Sequence, residues 1–308
     1  MGRFVGIFIF IAILAELKIH YIFTKLINAH LSFVLLSVFS FFTMHLFKAF
    51  RWKYLLKTHQ ITLSLKSSYL MYTSGLFFGL LTPGRLGDFI KITFLKKYGV
   101  DVVKGFFVNV FDRLLDLIFL LLLAFIITAT FFSEFIIYIL ILSFTIFSVI
   151  FIFYLLGNNR NNGLKLFLGI ILGNNINNIL LSKLNDFFSL LNNHSIQNTM
   201  PLIVISSMSW LVYILSIFFL SESINLGLSY SQVGIFFIIS SIIALIPISV
   251  AGIGTRDMVL IILFSKIGYS KEEAISFSII ILTMYLFTAA IGLISWLLLN
   301  DQKNRIKI

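Results

Sequence analysis

Apolar residues run along this chain in long blocks, and the polar residues gather between them. A spanning helix needs about 20 mostly apolar residues, and six segments meet that length: approximately 4–22, 31–50, 106–131, 135–156, 200–222 and 275–299. Pro201 falls at the start of the fifth, where its missing N–H costs nothing. Two further apolar stretches, about 67–97 and 229–267, are each long enough for two short helices and are interrupted near the middle by glycine and polar residues. The first contains FFGLLTPGRLGDFIKITFLKK (Phe77 to Lys97), the second IPISVAGIGTRDMVLIILFSKIGYS (Ile246 to Ser270). Backbone that leaves the helix at bilayer depth must have its N–H and C=O groups satisfied by protein or by a water-filled cavity. Each interrupted stretch is therefore expected to form a re-entrant helical hairpin whose break marks a site. The competing expectation for each is one kinked helix or two complete spans.

The two interruptions match without a gap. Asp257, Lys266 and Gly268 each lie 169 positions after Asp88, Lys97 and Gly99. In both, a proline precedes a glycine-rich turn, an Arg and an Asp follow, and an apolar helix comes next. Three full spans separate the hairpins, so the two would enter the membrane from opposite faces. The fold expected is an all-α polytopic membrane protein with about six full spans and two re-entrant hairpins. It forms a single integral domain over 1–308, with inverted halves at approximately 1–131 and 135–299. Inverted halves whose broken helices meet near the midplane are a transporter architecture.

Composition fixes the solvent. Hydrophobic residues make up 59% and charged residues 11%, and mean hydropathy is +1.05, which no water-soluble globule matches when about 25% charge is usual. With no cysteine, disulfide frameworks and thiolate chemistry are excluded. The five histidines stand singly, without metal-binding spacing, so neither a metal nor another cofactor is expected. The opening MGRFVGIFIFIAIL has the look of a signal peptide, but no small-residue cleavage site follows, and an uncleaved helix is expected.

The net charge of +11 would suggest nucleic acid in a soluble chain; here it reports membrane orientation and anionic lipid instead. With both termini in the cytoplasm, sixteen Lys and Arg residues, among them Lys48, Arg51 and Lys91, fall on the cytoplasmic side. Only Lys18, Lys25, Lys266 and Lys271 fall outside, in keeping with the positive-inside rule. A multi-pass protein of the cell membrane is the expectation. The Asn-rich stretch 157–198 becomes a cytoplasmic connection with room for interfacial helices.

Seven ionisable residues remain inside apolar regions: Arg85, Asp88, Asp112, Arg113, Asp116, Arg256 and Asp257. Each costs about 2.5–3.5 kcal/mol at a helix centre, so they must pair, face water or bind a charged ligand. Asp112 and Asp116 share a helix face, and Arg113 and Asp116 are close enough to meet; these three are candidates for a supporting polar network. Around the breaks, Gly84, Arg85, Gly87, Asp88, Lys91, Gly252, Gly254, Arg256 and Asp257 are candidates for binding a lipid head group. A guanidinium fork suits phosphate oxygens, and glycines let backbone N–H groups approach them. For every one of these charges the alternative is a structural ion pair.

The stretches TPGRLGDFIK (Thr82 to Lys91), DRLLDL (Asp112 to Leu117) and SVAGIGTRD (Ser249 to Asp257) resemble three signature stretches of the flippase-like transmembrane domain of lysylphosphatidylglycerol synthases. The resemblance covers essentially the whole chain. That family usually carries Glu where this chain has Asp88, Asp112 and Asp257. The resemblance implies translocation of an aminoacylated, polyprenyl-linked or other polar lipid between leaflets. Full-length synthases add a cytosolic aminoacyl transferase domain; this chain stops at Ile308, so aminoacyl-lipid synthesis, and enzyme activity generally, is not expected of it. Membrane lipids with an anionic or phosphate-bearing head group are the expected partners, and nucleic acid is not. Two other readings stay open: a membrane-embedded lipid glycosyl or phosphoryl transferase or its accessory subunit, with Asp112 and Asp116 holding a divalent ion, and a small-solute secondary transporter. No GxxxxGK[ST] loop is present for direct ATP hydrolysis.

Overall fold

A computed structural model of the chain describes residues 5–15, 17–131, 178–192, 194–244, 249 and 252–305. Every regular element among them is a helix: α1 (Val5–Ala15), α2 (Ile19–Ile27), α3 (Leu31–Thr58), α4 (Leu65–Leu81), α5 (Ile90–Lys97), α6 (Val102–Phe131), α7 (Asn178–Asn192), α8 (Ile196–Ser223), α9 (Tyr230–Ala244), α10 (Thr255–Ser265) and α11 (Lys271–Arg305), with a short 3-10 segment, Pro83–Phe89, between α4 and α5. Three of the described helices are long and apolar enough to cross a bilayer: α3, α8 and residues Lys271–Asp301 of α11. The expected spans 31–50, 200–222 and 275–299 fall on these three, and 106–131 falls on the 30-residue α6. The expected span 135–156, and 157–177 of the Asn-rich connection, lie outside the described residues.

Two differences from the sequence reading have local causes. Residues 4–22 do not form one rod, because Lys18, at φ −76 and ψ 84, leaves the helical region and starts α2 afresh. Pro201 is not at the first helical position, since α8 begins at Ile196 and takes the proline into its interior.

The described residues form two compact units. The first takes in Met1–Lys53, Leu63–Lys91 and Ile205–Ile308. Within it α3 and α8 run antiparallel. Phe33 stacks near Phe219, Ser37 and Ser216 share a 3.0 Å hydrogen bond, Phe41 meets Tyr213 and Arg51 Nη1 donates to Ser206 Oγ at 2.9 Å. Ser37, Ser206 and Ser216 are all fully buried; small side chains bring backbones together where lipid supplies no hydrophobic drive.

Ser64 starts α4 by accepting the Ser67 N–H at 3.0 Å, as an N-cap should. The chain after α4 turns back along it: a Cβ on Gly87 would run into the carbonyl of Phe78, and one on Gly75 would meet Asp88 and the stem of Lys91. The second interrupted stretch folds back likewise, with Phe236 of α9 beside Phe264 of α10. α11 touches both. It meets α10 through Phe277 and Phe264, and it meets α4 through the 2.8 Å hydrogen bond from Thr73 to Ser295 and the edge contact of Phe78 with Trp296. Gly292 lets α11 close on the Thr73 carbonyl, where any Cβ would collide. α1 abuts the second break, the Gly6 backbone lying against Gly254 and Ser249, and α2 is tied to α11 by the 3.0 Å ion pair of Lys25 with Glu273.

The second unit takes in Tyr54–Thr62 and Ile92–Val204. Asp101 starts α6 by accepting the Val103 and Lys104 N–H groups at 2.8 and 3.2 Å. Gly105 lets α6 lie against Leu95 and Ile92. Phe187 of α7 packs on Phe106 and Phe107. His59 and His194 lie ring to ring, Nε2 to Nδ1 at 3.2 Å.

Candidate functional site

The first break is made by two consecutive left-handed residues. Thr82 is extended, and Gly84 (φ 61) and Arg85 (φ 57) then reverse the chain. Thr82 Oγ1 accepts the Gly87 N–H at 2.6 Å and closes the turn. Glycine suits such backbone; arginine occupies it at a cost of about 1–2 kcal/mol. The reversal sets Asp88 against Gly75 and puts Lys91 Nζ 2.8 Å from Asp88 Oδ2, with the Lys91 side chain 0% and that of Asp88 3% exposed. The same ammonium lies over Tyr72 at 4.9 Å and Trp52 at 5.4 Å, so ring faces contribute to its shell. Arg85, by contrast, is exposed.

The second break uses the left-handed glycines Gly252 (φ 77) and Gly254 (φ 83). Asp257 reaches back to accept the Gly254 N–H through Oδ2 at 2.7 Å, the acidic half of a capping box. Its Oδ1 accepts the Ser278 hydroxyl and lies 3.7 Å from Arg256 Nη2. Arg256 donates through Nε to Ser278 Oγ at 2.9 Å and through Nη2 to the Ser278 carbonyl at 3.1 Å. The residue is 2% exposed, and its Nη1 has no hydrogen-bond partner among the described residues.

Set 169 positions apart, the two breaks exchange their residues. Arg85 takes the place that Gly254 has in the second, and Gly87 the place of Arg256. Both places at 85 and 254 are left-handed. The helices that follow end alike: the N–H groups of Tyr98, Gly99 and Val100 bond the carbonyls of Leu95, Lys96 and Leu95, as those of Ile267, Gly268 and Tyr269 bond Phe264, Ser265 and Phe264. Gly99 and Gly268 are left-handed, the form of a glycine C-cap.

The second break leads to a pair of tyrosines. Arg256 stacks on the Tyr285 ring at 5.6 Å, and Tyr285 is bonded hydroxyl to hydroxyl with Tyr213 at 3.2 Å. Lys48 Nζ lies 4.9 Å from the Trp210 ring and 6.0 Å from Tyr213. On the same helix as Lys48, His45 Nδ1 is 2.8 Å from the Phe41 carbonyl. The first unit holds Gly84, Arg85, Gly87, Asp88 and Lys91 at one break and Gly252, Gly254, Arg256 and Asp257 at the other, and it also holds Lys48, Trp210, Tyr213, Ser278 and Tyr285. The last five are not identifiable from sequence alone. Lys48 and Arg51 count there as orientation charges and Lys91 as both an orientation charge and a head-group candidate; all three are buried helix residues. Asp112, Arg113 and Asp116 belong to the second unit, on α6, with Asp112 fully buried and the other two half-buried.

In chemical terms Asp257 is fully engaged by Gly254, Ser278 and Arg256, while one edge of Arg256, Nη1, has no hydrogen-bond partner among the described residues. The sequence profile of the family described as the lysylphosphatidylglycerol synthase TM region matches residues 2–292. The chain belongs to that family. No curated protein matches it. As a member of the family it is a helical membrane protein of a lipid-handling group, and the two breaks lie within the matched span.

Proposed function

We propose that the protein is a flippase or related transporter that carries a polar lipid, with a charged head group or a polyprenyl-linked one, between leaflets. The observation that carries this reading is the buried guanidinium of Arg256 at the second break, whose Nη1 has no hydrogen-bond partner among the described residues, in a chain of a lipid-handling family. Cations of a lipid-handling membrane protein gathered where two helices are interrupted suit a phosphate passing through, while its acyl chains stay in the bilayer. On this reading the interrupted stretches are re-entrant hairpins entering from opposite faces, and one half rocks against the other. The protein would sit in the cell membrane with both termini cytoplasmic and act as a transporter without catalysing a reaction.

Reconstitution into vesicles with fluorescent lipid probes tests this. Leaflet exchange that depends on the head group and falls at least about tenfold in Arg85→Ala and Arg256→Ala, a loss of ~1.4 kcal/mol or more of interaction, is the expected result. Solute uptake without leaflet exchange, or metal-dependent formation of a new lipid, would overturn it.

A further inference from the structure

The ends of the three helices able to cross a bilayer come together around α2. α3 begins at Leu31, four residues after Ile27 closes α2. α8 ends at Ser223, whose carbonyl accepts the His30 N–H at 2.8 Å. α11 begins at Lys271, and Glu273 in its first turn accepts the Ser270 N–H through Oε2 and the Lys25 ammonium through Oε1, both at 3.0 Å. Where spanning helices start and stop, hydrocarbon gives way to head groups and water. This places α2 at that boundary and not in the bilayer core.

Around its axis α2 has three faces. At 3.6 residues per turn, Ile19, Phe23 and Ile27 form one stripe, and His20, Thr24 and the cap residue Asn28 form the next. The apolar stripe is 61%, 61% and 66% exposed, and all three polar residues are exposed as well. The third face belongs to the protein, with Ile22 buried and Lys25 held by Glu273. On the polar side a recess of about 180 Å³, lined by Tyr21, Thr24, Lys25 and Asn28 of α2 and by Ile224 and Asn225 after α8, leaves room for head groups and water. A helix standing upright would carry its polar stripe into the acyl chains or its apolar stripe into water. Lying flat, it satisfies both.

We infer that α2 is a surface helix lying in the plane of the membrane at this boundary, and that its partner is the lipid of the adjoining leaflet. Ile19, Phe23 and Ile27 enter the acyl region, while His20, Thr24 and Asn28 stay among head groups and water. The pair of Lys25 with Glu273 fixes the rotation of the helix and so decides which stripe meets lipid. Lipid is the occupant because the apolar exposure carries on at Leu31 and Leu35 of α3, on a helix whose outer surface meets the bilayer. The inference stands independently of the transporter reading.

The test uses the full chain, which has no cysteine, in vesicles of phosphatidylcholine and phosphatidylglycerol. Single cysteines replacing Ile19, Phe23, Ile27, His20, Thr24 and Asn28 in turn are spin-labelled. Collision with oxygen, which concentrates among acyl chains, is compared with collision with a water-soluble nickel chelate. Oxygen is expected to dominate at the first three positions and the chelate at the other three. Labels at Ile19 and Ile27 are expected at the same depth, whereas a helix along the membrane normal would separate them by about 12 Å. Photolabelling of the unaltered chain from a diazirine on the acyl chain, which needs no substitution, is expected to mark Phe23 and spare Thr24. A depth difference near that separation, or chelate collision at all six positions, would overturn the inference. Shielding of Ile19, Phe23 and Ile27 from both reagents, as a second copy of the chain or another protein would cause, would overturn it too.

Discussion

The hydroxyl groups of Tyr213 on α8 and Tyr285 on α11 lie 3.2 Å apart, and the guanidinium of Arg256 rests on the second ring. This contact joins the second break to the helix that pairs with α3. Tyr285→Phe keeps the ring under Arg256 and removes one hydroxyl, so it is expected to cost about 1 kcal/mol. Tyr285→Leu loses the ring face as well and is expected to cost ~1–2 kcal/mol more. Unfolding of the purified variants in detergent measures both, and equal losses would show that the ring does not hold Arg256.

The buried pair of Lys91 and Asp88 makes a second prediction. Asp88→Asn leaves the ammonium among rings without its carboxylate, and breaking such a pair from one side costs about 3–5 kcal/mol. Adding Lys91→Met is expected to recover much of that loss, because a pair without charge needs no neutralisation. A double variant as unstable as the single one would show that the two charges do not compensate each other.

Gly254 is left-handed and lies against the Gly6 backbone. In Gly254→Ala the methyl group would have to displace a main chain that has no flexible end to give way. Together with the backbone strain, a loss of roughly 2–4 kcal/mol is expected, seen as a lower melting temperature. Gly99→Ala, where a Cβ meets open space, should lose only the conformational part, about 1 kcal/mol.

Arg85 is the opposite case. Glycine is at ease at φ 57 where arginine is strained, so Arg85→Gly is expected to stabilise the fold by about 0.5–1 kcal/mol while abolishing lipid movement. Strain kept at a residue whose removal would relieve it points to use. Loss of stability together with activity would mark Arg85 as a structural residue.

His59, packed on Phe107 and facing His194, has its pKa lowered to about 4 by burial, with further lowering by the charges of His194 and Lys104. Burial lowers that of His194 too. The folded second unit therefore binds protons less readily than its unfolded chain, whose histidines titrate near 6.5. Its stability is complete above that pH and falls as pH drops from about 6.5 toward 4. Hydrogen exchange of α7 across this window measures the loss, and His59→Gln is expected to flatten it.

How much of this was legible in the sequence depended on whether a residue's chemistry is set by its neighbours along the chain. The breaks were legible because proline, glycine and paired charges inside an apolar run conflict with a continuous helix, and Asp257 acts within three residues of Gly254. The helices α3, α8 and α11 followed from length and hydropathy alone. Lys48, Tyr213, Ser278 and Tyr285 were not legible, since each gains its role from a helix distant in sequence. Lys48 and Arg51 were legible only as orientation charges, because a lysine or arginine near the end of an apolar run looks like a membrane-edge anchor; α3 continues to Thr58 and both are buried. The left-handed arginine was hidden as well, because nothing in the letters GRLG tells which residue takes the strained backbone.

Helix α11 meets the second break at Ser278, carries Tyr285 in mid-course and meets the first broken helix at Gly292 and Ser295. From Ser278 to Gly292 is about 21 Å along one continuous rod. Such a rod acts as a common axle: a tilt or slide at one end arrives at the other as displacement, and neither turn can be reset alone. On the proposed transporter reading, opening on one side and closing on the other would thereby be a single mechanical event.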